Sequence, residues 1–261
     1  VALGGDGGDE LFGGYPTFAA ERLAGTFFDH TPGLGRLIAR AAAALPAREG
    51  YFSLDFKLHQ LARAGREAGP VRHQRWLAAF VPEELSAVLA PGFPPGDPLA
   101  QVRALAAETP PELRLLQFYM RFYLANQVLV KVDRAAGASG LEVRAPLLDQ
   151  DLLAFVCLLP PDLRHPRHPK ALLKRALRGH LPDAIIDRKK QGFAVPVARW
   201  LRDELRPLLL DELAEAKLRR EGLFSPSAVA SLVDDHLTGR RDRRKQLWTL
   251  LSFQRWRAAW A

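Results

Sequence analysis

"VALGGDGGDELFGGY", Val1–Tyr15, runs from three apolar residues into a glycine-rich turn and returns to apolar text at Leu11 and Phe12. Six of the thirteen positions from Leu3 to Tyr15 are glycine, and the charged residues among them, Asp6, Asp9 and Glu10, are all acidic. A short strand followed by a glycine turn and a helix start aims backbone N–H groups at an anion, because glycine accepts positive φ and lets a ligand approach the main chain. A carboxylate beside a phosphate is repelled unless a cation stands between them. Asp6 and Asp9 in such a turn therefore point to a hard metal such as Mg2+ bridging carboxylate and phosphate. A flexible surface turn whose acids cap the next helix fits the spacing equally well. The stretch lacks the Gly-Lys-Ser/Thr of a Walker loop and the Asp-x-Asp-x-Asp-Gly pattern of an EF-hand.

Beyond Phe12 the text has helical period. Apolar residues recur at three- and four-residue steps in "FSLDFKLHQLARA" (Leu54, Leu58, Leu61) and in "PELRLLQFYMRFYLANQVLV" (Leu115, Phe118, Phe122). Ser225 before Pro226 reads as an N-cap followed by a first-turn proline. The breakers are "LAPGFPPGDP", Leu89–Pro98, and "LPPDLRHPRHPK", Leu159–Lys170. In "RRKQLWTLLSFQRWRAAW" the spacing of Leu247, Leu250, Leu251, Phe253, Trp256 and Trp260 predicts a helix whose apolar residues serve core packing or docking, with base stacking as the rival reading. The reading is a mostly α-helical chain with one short strand near its start.

With 261 residues, 48% of them hydrophobic, the chain can bury a substantial core as one large domain or two small ones. No apolar run approaches the roughly 18 residues that span a bilayer. The net charge of +8 comes mainly from scattered arginines, and the tight run "GRRDRRK", Gly239–Lys245, reads as the solvated start of a helix. A nucleic-acid patch is the rival reading, without an aromatic-interleaved basic motif to accompany it. The single cysteine, Cys157, lies in apolar text and reads as a buried structural thiol, in keeping with the reducing cytoplasm.

Two further segments can carry chemistry. In "LVKVDRAAGASGLEVRAPLLDQDLL", Leu129–Leu153, the charged residues Asp133, Arg134, Glu142 and Arg144 are set among apolar ones. Such residues are expected to be half-buried and paired, as a structural ion-pair network or as a carboxylate lining a substrate pocket. In "DRKKQGFAVPVARWL", Asp187–Leu201, the residues Lys189, Lys190 and Gly192 sit between helices, on a loop that could deliver an ammonium to a phosphate. Of seven histidines only His165 and His168 are close in sequence, flanking prolines, so a zinc site is not expected. There is no Gly-x-Ser-x-Gly nucleophile elbow.

Taken in order, "GGDGGDELFGGY", "LVKVDRAAGASGLEVRAPLLD" and "DRKKQGFAVPVARWL", with "RHQRWLAAF" and "KALLKRAL" in supporting places, resemble the synthetase domain of glutamine-hydrolysing asparagine synthetases and their amidotransferase relatives. The resemblance covers essentially the whole chain, 1–261, as the carboxy-terminal portion of that domain. It implies an α/β fold of the ATP-pyrophosphatase type for the intact domain. It also implies an ATP- and Mg2+-dependent reaction in which aspartate becomes β-aspartyl-AMP, pyrophosphate leaves, and glutamine-derived ammonia attacks to give asparagine.

By position, the resemblance places Gly4, Gly5 and Gly7 in the ATP-contacting turn, where many members carry serine in place of Gly4. It makes Asp6 the acidic residue tied to acyl-adenylate formation and Asp9 the ligand of the Mg2+–pyrophosphate unit. Lys190 becomes the lysine that meets phosphate as charge develops, while Asp133, Glu142 and Arg144 shape the nucleotide pocket. Tyr15 and the "ELFGG" helix start are expected to fix the loop rather than to do chemistry. The implied partner is an amino-terminal glutaminase domain, and a homodimer of the intact enzyme stays open.

The family's cysteine-initiated glutaminase and its Ser-Gly-Gly-x-Asp-Ser pyrophosphate loop do not occur in these residues. The expectation is that the chain by itself releases no pyrophosphate from ATP, aspartate and ammonia. The alternatives are a relative acting on a sugar, peptide or secondary-metabolite acceptor, an RNA-modifying enzyme, or a noncatalytic helical interaction module.

Overall fold

A computed structural model of the chain describes residues 1–27, 31, 37, 54–63, 67–94, 96–164, 168–188 and 195–260. It divides into two compact units: the first comprises Val1–His30, Ala68–His73 and Ala100–Gln191, the second Thr31–Glu67, Gln74–Leu99 and Gly192–Ala261.

In the first unit the opening apolar residues form the strand β1 (Ala2–Leu3), as the sequence predicts, and the structure adds a partner, β2 (Val143–Arg144). The pair is parallel, with Ala2 opposite Val143 and Leu3 opposite Arg144. Parallel strands need a long crossover, and the helices of this unit between Gly8 and Ala138 supply it. Gly7 ends the approach to the first helix, Gly8–Leu11, with φ at 90°. A Cβ on Gly7 would run into the side chain of Leu148. Gly7→Ala therefore adds both left-handed strain and an overpacked contact, with an expected loss of about 2–4 kcal/mol. Denaturant unfolding of the intact protein checks this, and an unchanged midpoint contradicts it.

From Arg114 the chain makes a helix in three parts: an α-helical start Arg114–Phe118, a π-helical stretch Tyr119–Val128, and an α-helical end Leu129–Ala138. The apolar spacing predicts an ordinary α-helix throughout. In the π stretch Leu129 N–H donates to Leu124 C=O, five residues back, and the Asn126 side chain donates to Arg121 C=O at 3.1 Å. Apolar periodicity reports which face is buried, not which carbonyl each N–H meets. The helix ends where Gly140 takes φ 62°, and Leu141 N–H bonds back to Ala136 C=O at 2.9 Å, which turns the chain directly into β2.

Asp149 caps the next helix, Gln150–Leu158, accepting from the N–H groups of Asp151 and Leu152. The proline-rich break after Leu158 contains a short helix, Pro161–Arg164. The helices Ala171–Leu177 and Asp183–Ile186 follow. Leu11, Phe12, Leu116 and Val156 make the core, with Leu152, Leu153, Leu172 and Leu173 packed against it. Cys157 packs against that core but is half-buried rather than buried as expected, because it sits at the margin of the cluster.

The second unit is helical, with Leu201, Leu209, Val229 and Leu247 fully buried at its centre. Ser225 caps the helix Pro226–Leu237 by accepting from Ala228 N–H, as expected. In the last helix, Arg244–Trp260, Leu247, Leu250 and Leu251 reach the core, so core packing accounts for these three, while Trp256 and Trp260 are exposed beyond it. The basic run at Gly239–Lys245 does lead into that helix, and acids answer its arginines: Arg240 pairs with Asp234, Arg243 with Asp235 at 2.9 Å, and Arg244 with Asp242. The positive field that a nucleic-acid patch requires is thereby reduced.

Beside this run His236 is fully buried. Its Nδ1 accepts from Arg243 N–H at 3.2 Å, so Nε2 carries the proton and donates to Ala198 C=O at 3.1 Å. Burial pushes the Lys245 ammonium down to about 8, with Arg63 and Arg244 adding repulsion. The charged form is thus disfavoured in the fold. Its cost is fully present below about pH 8 and is relieved as pH rises toward the ordinary lysine value. Lys245→Met is expected to stabilise the protein by on the order of 2 kcal/mol at pH 7 and by much less above pH 10. Paired melts at the two pH values test this, and an equal effect at both contradicts it.

Candidate functional site

Asp9 lies in the first turn of the helix Gly8–Leu11, and its Oδ1 meets the ammonium of Lys170 at 2.9 Å. The two side chains are 25% and 30% exposed, so the pair sits in a wall, reachable from one side. Backbone geometry holds both ends. Gly14 N–H bonds to Asp9 C=O at 2.8 Å and Lys170 N–H to Phe12 C=O at 3.1 Å. Lys170 is the sole described residue other than glycine with positive φ, 58°. That strain is tolerated where surrounding structure over-determines a position, and such positions gather at functional sites. Gly14 is a spatial requirement: a Cβ there would collide with the Asp9 carboxylate and approach Lys170 Cε at 2.6 Å.

The pair opens onto a cleft of about 870 Å3 whose lining includes Lys174, Arg175, Arg178, Asp187 and Arg188. Five cationic side chains, counting Lys170, face two carboxylates there, Asp9 and Asp187. Arg178 takes Asp187 in two hydrogen bonds of 2.7 and 2.8 Å, which hold the Asp187 carboxyl below and the Arg178 guanidinium above their ordinary values. The cleft therefore suits an anion with several negative oxygens. None of Lys170, Lys174, Arg175 and Arg178 was singled out by residue-type reasoning. The signal that could have found the first three is "KALLKRAL", whose helix, Ala171–Leu177, puts Lys170 and Lys174 one turn apart; Arg178 follows it directly.

The remaining expected site residues fall at β1 and β2. Ala2 N–H bonds to Glu142 C=O at 2.8 Å and Gly4 N–H to Arg144 C=O at 2.7 Å, so strand pairing brings the first and second motifs together. Gly5 is exposed, with open space where a side chain would stand, while a Cβ on Gly4 would meet Asp6 Oδ2 at 2.8 Å. The glycines thus divide: Gly5 leaves the backbone open, whereas Gly7 makes room for Leu148. Glu142 and Arg144 pair with each other at 2.7 Å as expected, but both are exposed rather than half-buried, and Asp133 is exposed on its helix. The cause is strand alternation, in which Val143 takes the inner face and its neighbours the outer one. Lys189, Lys190 and Gly192 lie outside the described residues, as does His165.

Among the described residues no group of three or more His, Cys, Asp or Glu side chains could hold a metal ion, so those residues by themselves offer no cage for a cation. An Mg2+ ion carried on phosphates needs only one or two protein carboxylates, and Asp9 offers one beside cations suited to the phosphates. The residues present fit that second arrangement, in which Asp9 would be the protein ligand.

Comparison with known proteins agrees with the motifs. The family model described as asparagine synthase matches residues 1–258. A putative glutamine-hydrolysing asparagine synthetase of Mycobacterium bovis is 34% identical over 99% of this chain and 39% of its own length. Asparagine synthetase 1 of Bacillus subtilis, also glutamine-hydrolysing, is 27% identical over 98% of this chain and 40% of its length. The mouse glutamine-hydrolysing asparagine synthetase is 27% identical over 46% of the chain and 24% of its length. The chain thus spans about two-fifths of the bacterial relatives. No solved structure matches it. Among the described residues no helix is long and apolar enough to cross a membrane. Motif order, the strand pairing that joins two of the motifs, and a match running almost from end to end lead to one conclusion: the chain belongs to the asparagine synthase family.

Proposed function

We infer that the intact protein containing this chain is an ATP-dependent amide-forming ligase. Aspartate is activated as β-aspartyl-AMP with release of pyrophosphate, and ammonia drawn from glutamine by a partner glutaminase domain converts it to asparagine. The observation that carries this reading is the cationic cleft around the Asp9–Lys170 pair. The single cysteine fits a cytoplasmic setting, which belongs to the same proposal.

A carboxylate resists attack by ammonia, because it carries charge and has no good leaving group; a mixed anhydride removes both obstacles. Bond formation at the α-phosphate gathers negative charge on the departing pyrophosphate. Lys170, Lys174, Arg175 and Arg178 line the cleft that would receive it, and cations already in place stabilise such charge without reorganisation. Bound Mg2+ would supply further charge neutralisation on the phosphate oxygens. Asp9 would hold that ion, and Lys170, paired with it at 2.9 Å, keeps the Asp9 carboxylate turned to the cleft. Asp6, beside the open backbone of Gly5, acts in forming the adenylate. Gly4, Gly5 and Gly7 shape the nucleotide turn. Lys190 joins the phosphate contacts, while Asp133, Glu142 and Arg144 bound the pocket at β2.

The test is to supply the intact protein with ATP, Mg2+, aspartate and either glutamine or ammonia. Asparagine and pyrophosphate should appear in equal amounts. Pyrophosphate release that needs a sugar or peptide instead of aspartate overturns the acceptor, and no pyrophosphate with any acceptor overturns the ligase reading.

A further inference from the structure

A chain of contacts, polar at both ends and joined in the middle by ring stacking, starts from the helix that carries Asp9. Glu10, next to Asp9, is 1% exposed and accepts a 2.6 Å hydrogen bond from the Tyr15 hydroxyl. The Tyr15 ring stacks on Tyr119, with centroids 5.3 Å apart and planes within 15°, and meets Tyr123 edge-on at 5.2 Å. Tyr119 is the first residue of the π-helical stretch and is fully buried. Its hydroxyl pairs with the Thr17 hydroxyl and, at 3.0 Å, with His73 Nδ1. On its other side His73 Nε2 lies 3.5 Å from Glu21 Oε2, which Arg72 meets at 3.2 Å, and Gly69 N–H donates to Glu21 Oε1 at 3.0 Å. Phe18 and Phe118 close the remaining faces of His73 and Tyr119.

Core packing alone needs no such chain, since an apolar set of equal volume would hold these helices without polar groups to satisfy. A buried polar network fixes one arrangement, because any other leaves groups without partners in a low dielectric. The helix Gly8–Leu11 has one turn, so the place where Glu10 is held sets the direction of Asp9. An error near 1 Å in a charged group that must meet a ligand costs up to roughly a hundredfold.

We propose that Tyr119 and His73 are positioning residues for the pyrophosphate subsite: through Tyr15 and Glu10 they fix the helical turn that presents Asp9 to Lys170. The proposal rests on the ligase reading above. Tyr119→Phe keeps the stacked ring and removes the hydroxyl; Thr17→Val releases the same hydroxyl from the other side. His73→Asn keeps a polar atom near the Nδ1 position, whereas His73→Leu does not.

The experiment measures binding of inorganic pyrophosphate with Mg2+ to the intact protein by calorimetry, beside a thermal melt of each variant. Lys170→Ala should weaken binding strongly. Tyr119→Phe and Thr17→Val should weaken it roughly tenfold, His73→Leu at least as much, and His73→Asn should recover part of the loss. In a Lys170→Ala background Tyr119→Phe should cost little further binding, while its effect on the melting temperature persists. A purely structural role moves the melt alike in both backgrounds and leaves pyrophosphate affinity unchanged or additive. Wild-type affinity in folded Tyr119→Phe and Thr17→Val, with Lys170→Ala weakened, overturns the positioning role alone. No binding to the wild-type protein overturns the ligase reading and the positioning role with it.

Discussion

Asp9→Asn in the intact protein is expected to lower ATP- and aspartate-dependent pyrophosphate release by roughly 10²–10³-fold, the scale on which a single preorganised electrostatic contact acts. The change keeps the shape and leaves the Gly14 N–H to Asp9 C=O bond intact, so the turn still forms. What it removes is the charge that would hold the metal and the counterion of Lys170. The direction of the effect is specific. The cleft becomes more positive, so pyrophosphate without metal should bind as well as before or better, while the gain from adding Mg2+ should largely vanish. Stability should fall by only about 1 kcal/mol, because the pair is partly solvated. A coupled pyrophosphate assay with a melt alongside separates the two effects. Wild-type turnover, or loss in step with unfolding, rejects this role for Asp9.

Lys170 offers the second large effect, because its strain and its charge can be taken apart. Lys170→Ala and Lys170→Gly both remove the ammonium and should both lose pyrophosphate binding and turnover by at least about 10²-fold. They should differ in stability. Alanine at φ 58° retains the left-handed cost of roughly 1–2 kcal/mol per residue, whereas glycine carries almost none. Part of that gain is offset by the greater freedom of glycine in the unfolded chain. The glycine variant is therefore expected to unfold about 1 kcal/mol later than the alanine variant while being equally inactive. If alanine is the more stable, the backbone at Lys170 is not strained; if either variant binds pyrophosphate normally, the cleft is not the subsite.

Much of this was legible in residue order. A run of apolar text entering six glycines and two aspartates predicts strand, turn and helix, and all three are present. Ser225 and Pro226 start a helix where capping chemistry says they should. Tyr15 reads as a residue that fixes its loop, and its hydroxyl is bound to Glu10.

Other features depend on partners distant in sequence, which local spacing does not encode. Lys170 is 161 positions from Asp9, at the end of a segment that reads as a break, and only folding makes it a counterion. Glu142 and Arg144 suggest half-burial because apolar residues surround them, yet a two-residue strand turns them outward. Trp256 and Trp260 follow the helical period but extend past the core that Leu247, Leu250 and Leu251 fill.

The sequence by itself determined that this is a largely helical chain of the asparagine synthase family with an acidic glycine turn at Gly4–Asp9, because local propensity, capping and motif order are properties of neighbours. Only the tertiary structure decided which cation faces Asp9, which glycine is open and which is packed, and how a π-helical stretch sets Tyr119 behind the turn. Those are questions of approach between segments more than a hundred residues apart. They are answered by packing and by the cost of leaving buried polar groups unpaired.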